Sequence, residues 1–263
     1  MPWVLRGLRN GVVTTGYPRQ PDAYVDAFPA AVRPLAPGPP NGSPVDTLCP
    51  TGAIRTEGEV LRVDTGRCIL CGRCVRERPD LFGWIPGSQT ARLQRHALVV
   101  PQLPETDEAV DRVRRRLAAR TGMLRRSVHI RHVDVGSDGS AEWEVLALLN
   151  PVYDVHRLGI FFTASPRHAD VLLITGAGSH GMAEPLRRTV EATPRPLVVI
   201  AAGADAVSGG LIAPSDAPNY AAASGGIGEL VDVDVWVPGS PPSPFSLLHA
   251  LLLAAGRIQP TGR

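Results

Sequence analysis

The sequence predicts an α/β protein in which a mainly parallel sheet domain is preceded by a small α+β module. Three observations carry this. From Ser127 onward, apolar runs of strand length alternate with segments of helix length; all four cysteines fall between residues 49 and 74; and the first 48 residues are rich in Pro and Gly with little periodicity. The alternation implies parallel strands joined by crossover helices that cover both faces of the sheet. In such a sheet, function sits at the loops leaving the carboxyl ends of the strands.

With 263 residues and 44% apolar content, the chain is long enough for two domains with real cores. A formal net charge of +2 gives no general reason to expect a nucleic-acid partner. The opening Met1-Pro2-Trp3-Val4-Leu5-Arg6 leads into polar sequence, unlike the apolar core of a signal peptide. The longest apolar run, Leu247 to Ala255 with His249 inside it, is too short to span a bilayer. The expectation is a cytoplasmic polypeptide with no transmembrane segment of its own, whose thiols are reduced and available to metal.

Taken in order, residues 1–44 read as an extended Pro/Gly-rich segment, loose or wrapped on a partner, with Pro37 to Gly42 as its clearest breaker. Residues 45–104 hold short strands at Ala53-Ile54-Arg55 and Val60 to Val63, a cysteine loop, a short helix from near Val75, and a strand over Ala97 to Val100. So small a unit lacks the core to fold well unaided, and a metal cluster would supply the missing staple. Residues 105–126 read as a basic linker helix. Glu105, Asp107 and Glu108 open it, and Arg114, Arg115, Arg116, Arg120, Arg125 and Arg126 close it, as the helix dipole favours. It is either a solvated connection or a docking surface for an acidic partner or lipid head groups.

Residues 127–258 then carry the α/β pattern. Candidate strands are Val128 to Val133, Gly159 to Thr163, Val171 to Thr175, Leu197 to Ala201 and Val233 to Val237. Ala141 to Leu149, Met182 to Glu191 and Phe245 to Leu253 read as helices.

The chemistry-bearing stretch is Cys68-Ile69-Leu70-Cys71-Gly72-Arg73-Cys74, with Cys49-Pro50 upstream. Three thiols spaced three residues apart cannot share one strand face or helix stripe, so the backbone must curl around something that takes several sulfurs. An iron-sulfur cube fits, because each iron takes one thiolate while the loop turns backbone N–H groups toward the cluster sulfurs. Bacterial-type ferredoxins repeat C-x2-C-x2-C-x3-C-P, with the fourth ligand of each cube coming from the other copy. The segment resembles such a ferredoxin with two complementary losses. Around Cys49-Pro50 the three preceding ligand positions are Pro39, Gly42 and Val45; after Cys74 the fourth position is Arg78, followed by Pro79. One cube is thereby lost, and one 4Fe-4S cluster keeps Cys49, Cys68, Cys71 and Cys74 as its full set. Zinc, which usually takes paired C-x2-C knuckles, and a thiol redox pair are the competing readings.

A second pattern, Gly176-Ala177-Gly178-Ser179-His180-Gly181, follows a strand and opens a helix, with Asp205 beyond the next strand. It is either a dinucleotide fingerprint or a glycine-rich turn without a ligand.

Several motifs of the last domain occur together: Asn150-Pro151-Val152-Tyr153-Asp154, Ser165 to Asp170, Met182 to Thr189, and Val235 to Pro242. Over roughly residues 127–256 they resemble the 20 kDa subunit family of respiratory complex I, especially small subunits of membrane-bound energy-converting hydrogenases and formate hydrogenlyase. The resemblance implies a flavodoxin-like fold, a 4Fe-4S cluster, and a place beside a large hydrogenase- or quinone-type subunit. Further membrane-complex subunits would hold the chain peripherally on the inner face of the cell membrane. Here the family's cysteine positions read Asp138 and Ala141 in Gly136 to Glu142, Asp205 in Gly203 to Ala206, and Ser240 in Pro238 to Pro242. Oxygen donors suit iron-sulfur clusters poorly and Ala141 offers none, so this domain is expected to carry no cluster. The vacated positions are then a polar pocket facing a partner, or a site for a hard cation or nucleotide. Glu142, Arg167 and His168 also match motif positions, facing the large subunit or shaping loops. The function expected is an electron-transfer subunit without catalytic residues of its own; a structural or coupling subunit, or a flavodoxin-like nucleotide- or flavin-binding module, is the alternative.

Overall fold

A computed structural model describes residues 3–20, 24, 27–36, 45–101, 106–108, 111, 112, 115, 127–212 and 223–258. The basic helix expected over 105–126 lies for the most part outside these residues, as do Pro39 and Gly42.

The first segment contains two elements that its lack of periodicity conceals. Helix α1 (Trp3–Asn10) buries none of its residues. The chain then straps across the last domain: Thr15 N donates to Val152 O at 2.8 Å, Thr14 Oγ1 donates to Pro151 O at 2.7 Å, and Arg157 donates to Tyr17 O at 2.6 Å. Strand β1 (Pro29–Pro34) begins and ends in proline, which hides it from a strand reading; Pro lacks a ladder donor and is confined to strand ends and edges.

In the cysteine module, β2 (Ile54–Glu57) and β3 (Val60–Asp64) form an antiparallel hairpin, followed by the cysteine loop and α2 (Arg73–Glu77). Strand β4 (Phe82–Pro86) pairs with β1, and the two-residue β5 (Val99–Val100) pairs with β3. The strand expected over Ala97 to Val100 is therefore only half strand. Arg95–Leu98 is a 3-10 turn whose Ala97 and Leu98 are buried; a short apolar run that serves the core reads as extended whichever backbone it takes. Val32, Ile54, Leu61, Val63, Leu81 and Phe82 form a core into which Cys68 packs.

The last domain holds β6 (Val128–Asp134), α3 (Ser140–Ala147), β7 (Ile160–Phe162), β8 (Val171–Thr175), α4 (His180–Ala192), β9 (Val198–Ala202), α5 (Ala204–Ser208), β10 (Val235–Val237) and α6 (Pro244–Ala254). Its five strands are all parallel in the order β10-β9-β8-β6-β7. Counted within the domain this is 2-1-3-4-5, the flavodoxin-like order, with its switch point between β6 and β8. Both faces are covered. Ile130, Leu173 and Ile200 pack with Val145 of α3, with Leu148 just after it and with the leucines of α6, whereas Val133, Leu172, Ile174 and Val199 pack with Leu186 of α4 and Val207 of α5. Every residue of α6 is buried, and its start is fixed by Pro244 at the first turn and by Ser243 Oγ accepting from Ser246 N at 3.2 Å. Within it His249 is fully buried, and neither ring nitrogen has a hydrogen-bond partner among the described residues. Burial, followed by the nearby Arg92 charge, pushes its pKa down to about 3, so the ring is neutral.

The module and the sheet are stitched together. Arg92 exchanges two backbone bonds with Trp236 on the edge strand β10, at 2.9 and 2.7 Å. Gly66, two residues before Cys68, lies against α5: a Cβ there would fall 2.7 Å from Val207 Cγ1, and Ser208 Oγ donates to Gly66 O at 3.0 Å.

Candidate functional site

The base of the cysteine loop is pinned by a polar cluster around Asp64. Its carboxylate accepts from Gly66 N at 2.9 Å and takes both ends of the Arg95 fork at 2.8 Å, while Thr65 Oγ1 donates to Leu98 O at 2.7 Å. Above this base, Leu70 at φ +54 and Gly72 at φ +69 turn the chain through the left-handed region twice within three residues. For Leu70 that conformation is uncommon and holds only because the surroundings fix it. Upstream, Thr51 Oγ1 donates to Arg67 O at 2.7 Å and stands 3.4 Å from Cys49 Sγ, which fastens the Cys49-Pro50 turn beside Cys68.

These folds bring Cys49, Cys68, Cys71 and Cys74 around one small apolar cavity, whose wall is completed by Val32, Ile54 and Val63. All four thiols are free; Cys68 is buried, Cys49 and Cys74 half-buried, and Cys71 exposed. Burial pushes Cys68 up to about 12, and the other three sulfurs add to the rise; burial also raises Cys74. A thiolate is unfavourable there without a cation, so metal binding would have to release protons. Leu70 N already points at Cys68 Sγ at 3.4 Å. Among the described residues, no three His, Cys, Asp or Glu side chains are arranged to hold a single metal ion.

The second constellation lies at the sheet's switch point. In the loop after β6, Asp134 Oδ1 accepts from Gly136 N and Ser137 N at 2.9 Å, and Asp138 Oδ1 accepts from Ser140 N at 2.9 Å and Ser140 Oγ at 2.6 Å. These bonds from Ser140 hold the Asp138 carboxyl below its ordinary range. Glu142 on α3 accepts from Ser137 Oγ at 2.9 Å and from Thr175 Oγ1, and Thr175 Oγ1 is 2.9 Å from His132 Nε2. Asp205 behaves oppositely to Asp138: burial, then the Asp138 and Glu142 charges, push its carboxyl up to about 6. Asp138, Ala141, Asp205 and Ser240 lie in or beside neighbouring loops. A Cβ on Gly203 would lie 3.9 Å from Ala141 Cβ and 3.6 Å from both Gly239 O and Pro242 Cδ. A narrow cleft lined by Leu70, Glu144, Gly239, Pro241 and Pro242 runs between the cysteine loop and this constellation.

The glycine-rich turn after β8 is spent on packing. A Cβ on Gly176, at φ +88, would lie 2.7 to 2.8 Å from the backbone of Gly136 and Ser137, and one on Gly178 would lie 2.9 Å from Gly226 O. Ala177 N and Ser179 N, which a phosphate would need, donate instead to Gly136 O at 3.0 Å and Val135 O at 2.8 Å.

Of the motif residues, Glu142 joins the switch-point network, whereas Arg167 and His168 are exposed on a 3-10 turn before β8, at the opposite end of the sheet. Motif spacing does not reveal His132 and Thr175. Both share the strand parity of core-facing neighbours, Ile130 and Leu173, and sit at carboxyl ends, which is the signal that could have found them.

The strand order and switch-point site define a doubly wound α/β domain of flavodoxin-like class. Its sequence narrows this further: the family model of the NADH ubiquinone oxidoreductase, 20 Kd subunit, matches residues 139–254. The chain is 36% identical over 147 residues to the probable membrane-bound hydrogenase subunit mbhJ of Pyrococcus furiosus, covering 56% of this chain and 85% of the relative. It is 34% identical over 165 residues to formate hydrogenlyase subunit 7 of Escherichia coli, covering 63% of this chain and 62% of that one. It is 38% identical over 117 residues to an NADH-quinone oxidoreductase subunit of Mycolicibacterium vanbaalenii, covering 44% and 60%. The chain belongs to this 20 kDa subunit family, whose members are subunits of complex I-like or hydrogenase-like complexes, while spanning only 62% and 60% of the latter two relatives.

Proposed function

We propose that the chain is an electron-transfer subunit of a hydrogenase-like or complex I-like oxidoreductase, holding one 4Fe-4S cluster on Cys49, Cys68, Cys71 and Cys74 and none at the switch point. The observation that supports this best is the apolar cavity lined by all four cysteines of the chain. A cube takes one thiolate at each of its irons and suits three cysteines of one loop with a remote Cys-Pro, whereas zinc usually takes paired C-x2-C knuckles. When bound, the cluster accepts and returns one electron.

The residues of the chain do the rest. Thr51, Asp64 and Arg95 hold the ligand loops in register, Leu70 N aims at the sulfur side, and Val32, Ile54 and Val63 keep water away. At the switch point, Asp138, Asp205 and Ser240 offer hard oxygen and Ala141 offers nothing, which does not fit a cube. The cleft from Leu70 to Pro242 runs between the cysteine loop and the loops where the family resemblance implies a cluster. Trp143, Leu146 and Leu149 of α3 and its exit are exposed on the same domain and fit a face for a large partner subunit. A membrane-peripheral position through such partners suits a chain in whose described residues no helix is long and apolar enough to cross a membrane.

The test is the assembled complex with Cys71→Ser. Electron flow through it should be lost while assembly is retained; full activity would overturn the electron-transfer reading in favour of a structural subunit.

A further inference from the structure

Helix α1 has the composition of a surface-seeking element, and among the described residues none of its side chains is buried. In Trp3-Val4-Leu5-Arg6-Gly7-Leu8-Arg9-Asn10, helical spacing places Trp3, Val4, Leu5 and Leu8 on one broad side and Arg6, Arg9 and Asn10 on the other. In a folded chain such an apolar side normally packs on a core. Here Trp3 is 84% and Leu8 75% exposed, Val4 and Leu5 are about half exposed, and nothing lies within 4 Å of a Cβ built on Gly7 or Gly11. Gly11 ends the helix at φ +65, the exposed Val12 and Val13 follow, and the chain is first anchored at Thr14 and Thr15. The helix is thus presented on a short tether beside the docked strap.

We propose that α1 lies on an anionic lipid surface, with its apolar side in the acyl boundary and its arginines at the head groups. Charge complementarity selects this occupant. The helix carries two guanidinium groups and no acidic residue, and an anionic head-group layer meets both while its acyl edge takes the indole and leucines. Trp3 suits the interface, where its ring is half apolar and its N–H stays wet. Eight residues give a helix of only about 12 Å, too short to span a bilayer, so the element lies in the plane of the surface. A single short helix binds weakly by itself, and it becomes effective as one contact among several of an assembled complex.

The test uses the full chain, anaerobically isolated, in co-sedimentation with vesicles of phosphatidylcholine alone or of phosphatidylcholine mixed with phosphatidylglycerol. Binding to the mixed vesicles, but not to the neutral ones, is expected. Arg6→Ser/Arg9→Ser should weaken it about thirty-fold, and Leu8→Asp should weaken it by about ten-fold or more. Because none of the α1 residues is buried, the far-UV circular dichroism of both variants should match the parent outside the small helical loss. Three results would overturn the proposal: equal binding to neutral vesicles; binding to mixed vesicles that the substitutions leave unchanged, which would assign it to the arginines of residues 112–126; or no binding to mixed vesicles, with a dimer that Leu8→Asp dissolves making a second copy the occupant.

Discussion

Replacing Asp205 by Asn should stabilise the protein at neutral pH and do nothing at pH 4. The carboxylate is half-buried at the start of α5, packed against Gly210, where an added Cβ would fall 1.9 Å from Oδ1. Burial and two like charges raise its pKa to about 6 from 3.8. A raised carboxyl pKa means that the ionised form costs the folded state: the penalty is complete above pH 6 and fades as pH falls from 6 toward 3.8. The full shift corresponds to a ceiling of about 3 kcal/mol, and solvent screening at a partly exposed group reduces this to about 1 kcal/mol. For a chain of this size that is a rise in Tm of about 2–4 °C. The assay is a pair of thermal melts, wild type and Asp205→Asn, at pH 7.5 and pH 4.0 under identical anaerobic conditions. Both proteins would carry the same cysteine site, so their difference isolates Asp205. Asp138→Asn should not reproduce this gain, because the relief at Asp205 is opposed by the loss of the carboxylate that the Ser140 bonds favour. For Asp205→Asn, no gain at pH 7.5, or an equal gain at both pH values, would refute the electrostatic account of the switch point.

Other perturbations separate packing from ligand binding. Gly176→Ala forces a Cβ into the Gly136–Ser137 backbone at positive φ and should cost about 2–4 kcal/mol in chemical denaturation. Gly181→Ala meets nothing within 4 Å and should be neutral; equal effects at the two positions would contradict the packing role of the turn. His249→Leu removes two buried nitrogens that have no partner among the described residues and should stabilise by about 1–3 kcal/mol. The histidine pKa is lowered on folding, so wild type loses stability as pH drops below 6.5, and the advantage of the leucine variant should widen there. A gap in denaturation free energy that is flat between pH 7.5 and pH 5 would count against a neutral buried ring.

Much of the sheet was legible because its strands obey one rule. Val171 to Thr175 is buried at every position, so it reads as a central parallel strand, and its expected limits coincide with the observed ones. The order 2-1-3-4-5 was reachable through family resemblance only, since periodicity says nothing about which strands are neighbours. Strands β1 and β4 were invisible for a local reason: Pro29, Pro34, Gly83 and Pro86 suppress the strand signal, yet their mutual pairing satisfies the backbone. The cysteine spacing singled out four residues that line one small cavity, because sulfur chemistry is specific. The setting of that site was not legible, because Thr51 to Arg67, Ser208 to Gly66 and Arg92 to Trp236 are contacts between distant parts of the chain that no motif records. The same holds for the Glu142, Thr175 and His132 network, which depends on strand register.

The central claim is that Cys49, Cys68, Cys71 and Cys74 together hold one cube and that nothing else in the chain holds another. Iron, acid-labile sulfide and zinc should be counted per chain in anaerobically isolated protein. The expected result is about four irons and four sulfides with no zinc. About eight of each would place a second cluster at the switch point, and one zinc with no sulfide would replace the cube altogether; either contradicts the account.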